Sequence, residues 1–256
     1  MAALFLVISV LGLWEFYSLI EKNGIHIQKF YGVLLGIIFF LLFFPSITTD
    51  FPYATIAVIS SLGISFIIEL FKKSEKPILN ISIIFFGIIY IILPFALLTY
   101  IGFIVVSMEG ILSLIFSSEK DLNNYNFFIL GFFLLIWSND TFAYLVGRSI
   151  GKTKLFERIS PKKTWEGFIG GIICTQGIAY LISIYFSELA PIHWHVVALI
   201  VSVFGTLGDL VESMFKRSLG VKDSGTILPG HGGILDRFDG VLLSSPFVVT
   251  YLMLVR

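Results

Sequence analysis

Residues 213–239 read SMFKRSLGVKDSGTILPGHGGILDRFD, the longest polar passage in the chain. It gathers Asp223, His231, Asp236 and Asp239 beside Lys216, Arg217, Lys222 and Arg237, with glycines and Pro229 between them. Both flanks are apolar, residues 194–211 before it and 241–255 after it. A polar passage bounded by apolar runs of near-spanning length reads as a connection between two transmembrane helices. That reading sets the class of the rest.

Composition agrees with it. Of 256 residues, 57% are hydrophobic and only 13% charged, against about 25% charged in soluble domains, so the chain reads as an integral membrane protein. Formal net charge is zero, which leaves no global basic field for nucleic acid. The single cysteine, Cys174, excludes an internal disulfide and reads as a small apolar packing residue. Met1 leads straight into apolar residues without a basic n-region, so no cleavable signal is expected.

The expected fold is all-α, a polytopic transmembrane helix bundle with a polar active-site cavity on the cytoplasmic side. Spans of roughly 20 apolar residues fall near 1–20, 30–44, 51–71, 78–98, 127–147, 167–187, 194–211 and 241–255. That makes eight, or nine if 99–117 also crosses; Gly102, Glu109 and Gly110 interrupt that segment. Cations collect in loops 21–29, 72–76, 148–163 and 216–237, whereas 45–50 and 188–193 have none. The positive-inside rule then puts the four basic loops in the cytoplasm and requires 99–117 not to cross fully. As one continuous membrane domain, the chain divides into N-terminal helices over 1–125 and a C-terminal catalytic region over 126–256.

Ionisable residues inside spans call for a reason. Glu15 reads as an interfacial residue at the end of the first span. Asp140 lies in WSNDTFAY with Asn139, Thr141 and Tyr144 as a polar stripe at helical spacing, which favours a functional reading. The loop 147–167 reads GRSIGKTKLFERISPKKTWEG, with six cations between Arg148 and Lys163. Such a loop serves as an orientation signal or anionic-lipid contact, or it binds phosphate. For the second reading, Ser160 and Pro161 would start a helix whose N–H groups, with Ser160, Lys162, Lys163 and Thr164, suit a phosphate.

In the opening stretch and the span before it, Asp209 with Glu212, and Asp236 with Asp239, are each spaced i,i+3 on a helical face. Clustered carboxylates need compensating cations. Hard oxygen donors favour Mg²⁺, which takes one or two carboxylates and completes its shell with water and substrate phosphates. The substrate is therefore expected to be a phosphate ester. His231 has no nearby partner as a transition-metal ligand and reads as a phosphate donor or a loop-packing residue. No G-x-x-x-x-G-K-[ST] pattern occurs, which disfavours a P-loop ATPase.

The run Phe215-Lys216-Arg217, Lys222-Asp223, Gly225, Leu228-Pro229, His231-Gly232-Gly233-Ile234, Asp236-Arg237-Phe238-Asp239 resembles the signature of the phosphatidate cytidylyltransferase (CDP-diacylglycerol synthase) family. Asn139-Asp140-Thr141 with Ala143-Tyr144 and Gly147-Arg148, and Ser160-Pro161-Lys162-Lys163-Thr164-Trp165-Glu166-Gly167, resemble it too. The resemblance implies a multi-pass protein of the bacterial inner membrane. Its reaction would be transfer of a cytidylyl group from CTP to phosphatidic acid, with pyrophosphate released. It implies Mg²⁺, with a second cation left open, on Asp209, Asp223, Asp236 and Asp239, and Lys222 beside them in the catalytic set. Substrate would be held by Ser160, Lys162, Lys163, Thr164, Lys216, Arg217, His231, Arg237 and Asp140. A homodimer is left open. Members of the family usually carry a further helix ahead of the motif that stands here as Leu13-Trp14-Glu15-Phe16-Tyr17, so a preceding helix is an expectation. A CTP-dependent polyprenol kinase and a transporter or scaffold are the alternatives. Polar groups concentrated in two loops of one half argue against a transporter built of two related halves.

Overall fold

The computed structural model describes residues 1–43, 52–72, 74–107, 119–186, 189–225 and 232–255. Nine α-helices run among the described residues: α1 Ala2–Lys22, α2 Lys29–Phe43, α3 Pro52–Lys72, α4 Pro77–Gly87, α5 Leu93–Ser107, α6 Glu119–Ile150, α7 Trp165–Tyr185, α8 Pro191–Ser218 and α9 Leu235–Leu254. A π-helical turn, Ile88–Ile92, joins α4 to α5 without a break. Pro94 explains its position: a proline cannot donate to the carbonyl four residues back, and a wider turn takes up the missing bond.

Each of the eight expected spans falls on a helical rod, and the chain is a polytopic integral membrane protein. Among the described residues, six helical segments are long and apolar enough to cross a bilayer: Ala2–Lys22, Pro77–Ile101, Asn126–Ile150, Trp165–Tyr185, Pro191–Ser218 and Leu235–Leu254. α2 is apolar but has only 15 residues, about 22 Å of rise against a hydrocarbon core of about 30 Å. Of the interrupted segment 99–117, residues up to Ser107 continue α5, and 108–117 lie outside the described residues.

The chain forms two compact units, Met1–Thr99 with Asp223–Arg237, and Tyr100–Lys222 with Phe238–Arg256. In the first, Tyr17 is the pivot. It is fully buried, and its hydroxyl donates to the Ile84 carbonyl at 2.6 Å. A Cβ on Gly32 or Gly87 would stand 2.8 or 2.7 Å from its ring, so α2 and α4 close on α1 only because those residues lack one. The buried carboxylate of Glu69 on α3 accepts from Gln28 Nε2 at 2.6 Å and Asn80 Nδ2 at 3.2 Å, which satisfies a charge that would otherwise be costly to bury.

In the second unit, Trp194 fills the centre of the α6–α7–α8 packing. It is fully buried, stacks on Phe128 and donates from Nε1 to the Phe186 carbonyl. α6 and α7 are joined by a short antiparallel hairpin, β1 Lys154–Phe156 and β2 Ser160–Thr164. This corrects one expectation, since no helix starts at Ser160 and Pro161. Those residues are extended, and α7 begins at Trp165, where the Thr164 hydroxyl accepts from the Gly167 N–H at 3.2 Å as an N-cap. The cap side chain, rather than the proline, fixes the start.

A constellation of carboxylates and lysines

The opening polar stretch is not all loop. Its first part extends α8 to Ser218 and its last part begins α9 at Leu235, so most of its charged side chains ride on helix ends. On α8, Asp209, Glu212, Ser213 and Lys216 follow one another at i, i+3, i+4 and i+7 and share a face. Asp209 Oδ1 accepts from Ser213 Oγ at 3.2 Å, while Oδ2 lies 2.5 Å from Lys163 Nζ, delivered by β2. Glu212 pairs with Lys216 at 3.2 Å, and the Glu212 side chain is only 4% exposed.

Two further acids belong to this group. Asp140, on α6, is exposed within a spanning helix and lies within electrostatic reach of both Lys163 and Asp209. Its neighbour Asn139 is buried and donates to Thr206 Oγ1 of α8 at 3.3 Å, which fixes the rotation of α6. Asp239, on α9, lies within electrostatic reach of Asp209, Glu212 and Asp140, and its Oδ1 accepts from the Gly240 N–H at 2.6 Å. α8 carries Gly208 where α9 passes: a Cβ there would strike the Asp239 carbonyl oxygen. Four carboxylates thus lie near two ammonium groups among the described residues, an excess of acids over cations.

A divalent cation suits that imbalance. Among the described residues no three acidic, histidine or cysteine side chains converge tightly enough to enclose a metal unaided. A cation that takes one or two carboxylates and shares the rest of its shell with water and phosphates does not need such a cage. Asp209 qualifies as one donor, with 35% of its side chain open to solvent. The donors are oxygens throughout, as such an ion prefers.

The first unit contains a second polar knot. Asp236 Oδ2 accepts three hydrogen bonds: from the Ser224 N–H at 3.0 Å, the Ser224 hydroxyl at 2.9 Å and the Gly233 N–H at 2.8 Å. Gly232 adopts φ +81°, a left-handed conformation natural to glycine, and brings the chain back toward Asp236. Glu15 joins this knot. It is 3% exposed, and its Oε2 accepts from the Leu235 N–H at 3.1 Å. The expectation of an interfacial Glu15 is therefore overturned. The signal that could have revealed it is a carboxylate inside an aromatic-rich motif, one turn of helix after Gly12, which packs against Ile234 and Leu235.

The remaining candidates distribute as follows. Lys162 is exposed and Lys163 half-buried, on opposite sides of β2; Ser160 is half-buried at the strand's start. Thr164 is buried in its capping role. Arg217 is exposed and donates from Nη1 to the Val221 carbonyl at 3.2 Å, closing the end of α8. Lys222 and Asp223 are exposed in the following turn, and Arg237 is exposed on the first turn of α9. His231 lies outside the described residues. Glu212 and Glu15 are acids the sequence reading did not place among the site residues. Glu166 also gains a task, accepting from the N–H groups of Lys152 and Thr153 at 3.1 Å, which ties the basic loop to α7.

The sequence matches the Cytidylyltransferase family over residues 1–255. It is 54% identical over 123 residues to a phosphatidate cytidylyltransferase of Staphylococcus haemolyticus (strain JCSC1435), an overlap covering 47% of each chain. It is 55% identical over 123 residues to that of Staphylococcus aureus (strain COL), again covering 47% of each. The protein of that name from Staphylococcus epidermidis (strain ATCC 35984) is 50% identical over 126 residues, with the same coverage. The chain spans about half the length of the curated relatives it matches. With the family match running the length of the sequence and the acid and lysine side chains of its polar segments gathered on helix ends, the chain belongs to the cytidylyltransferase family.

Proposed function

We infer that this protein transfers the cytidylyl group of CTP to phosphatidic acid, giving CDP-diacylglycerol and pyrophosphate at the cytoplasmic face of the bacterial inner membrane. The observation that carries the reading is the meeting of Asp140, Asp209, Glu212 and Asp239 on spanning helices with Lys216 of α8 and Lys163 of β2. Such a site suits a polyanionic nucleotide and a substrate anchored in the bilayer. Similarity to the staphylococcal phosphatidate cytidylyltransferases supports the choice of substrates. The cation loops of the sequence support the cytoplasmic orientation.

In this reading a phosphate oxygen of the lipid attacks the α-phosphorus of CTP, and the bond from that phosphorus to the β-bridging oxygen breaks. Pyrophosphate leaves with the electron pair. No covalent nucleophile is required, because positioning and charge compensation supply the catalysis in phosphoryl-type transfer. Asp209 and Asp239 would hold Mg²⁺; Asp223 and Asp236 are proposed as donors on the resemblance of their motif alone. Bound there, the ion would offset triphosphate charge and favour the pyrophosphate leaving group. Lys163 keeps Asp209 oriented through its ion pair. Lys162, Arg217, Lys222 and Arg237, all exposed, supply cations for the phosphates. Ser160 and His231 complete the substrate-binding set.

The test uses the purified protein with phosphatidic acid and CTP labelled at either the α- or the γ-phosphorus. Label from the α-position is expected in the lipid product, and label from the γ-position in pyrophosphate. Lipid carrying only γ label would replace this reading with that of a CTP-dependent lipid kinase.

A further inference from the structure

We propose that Glu15 is a positioning residue for the transfer reaction, acting from the first helix on the loop and helix start that present Asp236. The proposal rests on the cytidylyl-transfer reading for its activity arm, and on geometry alone for the rest.

An acid buried in a transmembrane helix is retained only where its charge has work to do, since an apolar side chain there would be far less costly. Glu15 is buried against a segment 220 residues away in sequence. Its Oε2 accepts the N–H of Leu235, the first residue of α9, at 3.1 Å. This N–H is one of those that a helix start leaves without an intrahelical partner. Its other oxygen, Oε1, is buried as well, and the Ser224 hydroxyl and the Ile234 N–H also bear on the carboxylate. That oxygen lies against the backbone of Gly225 and Gly233, where any Cβ would overlap it. Gly233 in turn donates to Asp236 Oδ2, as Ser224 does twice. Glu15 thus touches both ends of the segment that Asp236 ties together, and it fixes the helix start one residue before Asp236. Moving the carboxylate would release the Leu235 N–H and open space beside both glycines. Asp236 would lose the alignment of two of its donors, Ser224 and Gly233. The chain itself makes Glu15 an outer support of a proposed metal donor, and such supports commonly change metal affinity or activity by about 10- to 100-fold.

The test compares Glu15→Ala, Glu15→Gln and the unchanged chain, each purified in detergent. Hydrogen exchange is followed in the peptide containing Leu235, and turnover is followed across a Mg²⁺ titration. Glu15→Ala is expected to speed exchange at Leu235 and lower kcat about tenfold or more. It should also raise the Mg²⁺ concentration for half-maximal rate about tenfold, while KM for phosphatidic acid changes less than about twofold. Glu15→Gln keeps a carbonyl oxygen for the Leu235 N–H and is expected to stay within about threefold of the unchanged chain. Unchanged exchange and kcat in Glu15→Ala would overturn the proposal. So would a loss of rate matched by loss of folded protein with no shift in the Mg²⁺ titration, or a Glu15→Gln variant as impaired as Glu15→Ala. If the unchanged chain transfers no α label from CTP, the functional reading fails. The exchange data then still decide whether Glu15 holds the start of α9.

Discussion

Lys163 Nζ stands 2.5 Å from Asp209 Oδ2, so the short hairpin and the polar end of α8 are held by one ion pair. The pair is partly open to solvent, at 25% and 35% side-chain exposure, and its contribution to stability is correspondingly small. Its value lies in aiming Asp209. Asp209→Asn is expected to lower turnover about 100-fold, and Lys163→Met by a similar factor, with melting temperatures in detergent nearly unchanged. A variant that kept most of its rate in the α-label assay would remove the pair from the site.

Thr164 lies within the basic loop that reads as a phosphate signal, yet its hydroxyl oxygen caps α7. Thr164→Ala is expected to destabilise the protein by about 1 kcal/mol, and Thr164→Ser by much less, because serine caps as well. Thermal unfolding checks this. A loss of CTP affinity at unchanged stability would instead make the hydroxyl a substrate contact.

Gly208 and Gly177 make a matched pair. A methyl group on Gly208 would meet the Asp239 carbonyl, and one on Gly177 would meet nothing within 4 Å. Gly208→Ala is expected to cost about 1–3 kcal/mol and to depress turnover by displacing the start of α9. Gly177→Ala should be neutral or stabilise by up to about 1 kcal/mol through helix propensity. Equal melting temperatures for the two would contradict the close approach of α8 and α9.

Asp236 and Ser224 separate support from chemistry. Ser224→Ala removes one of three hydrogen bonds to Asp236 and is expected to reduce turnover only a few-fold. Asp236→Asn should abolish it while the protein remains folded. Chelation of divalent ions should abolish transfer in the unchanged chain and readdition of Mg²⁺ restore it, measured with α-labelled CTP.

The spans were legible because twenty-odd apolar residues can hardly be anything else in this composition, and every expected span is found on a helix. Helix ends were less legible. α8 and α9 each run several residues past their apolar parts, because Glu212 pairs with Lys216, Asp209 with Lys163, and Asp239 accepts from the Gly240 N–H, so these acids can remain helical where a hydropathy reading stops. The β2 strand was read as a helix start because Ser-Pro is a common N-terminal signal; pairing with Lys154–Phe156 and the cap at Thr164 override it. Glu15 was hidden for a different reason. Its partners lie 220 positions away, and only the tertiary fold turns an isolated acid in an apolar helix into the support of a loop.

Strand β2 also carries a consequence for how this segment can vary. Because consecutive side chains of a strand point to opposite sides, Lys163 meets Asp209 while Lys162 faces solvent. Dropping Lys162, the residue between Pro161 and Lys163, would remove one cation and exchange inside for outside over the part of the strand before it. Exposed Glu157 and Arg158 in the turn can therefore change their letters freely, whereas an insertion between Lys163 and the Thr164 cap would part the ion pair from the start of α7.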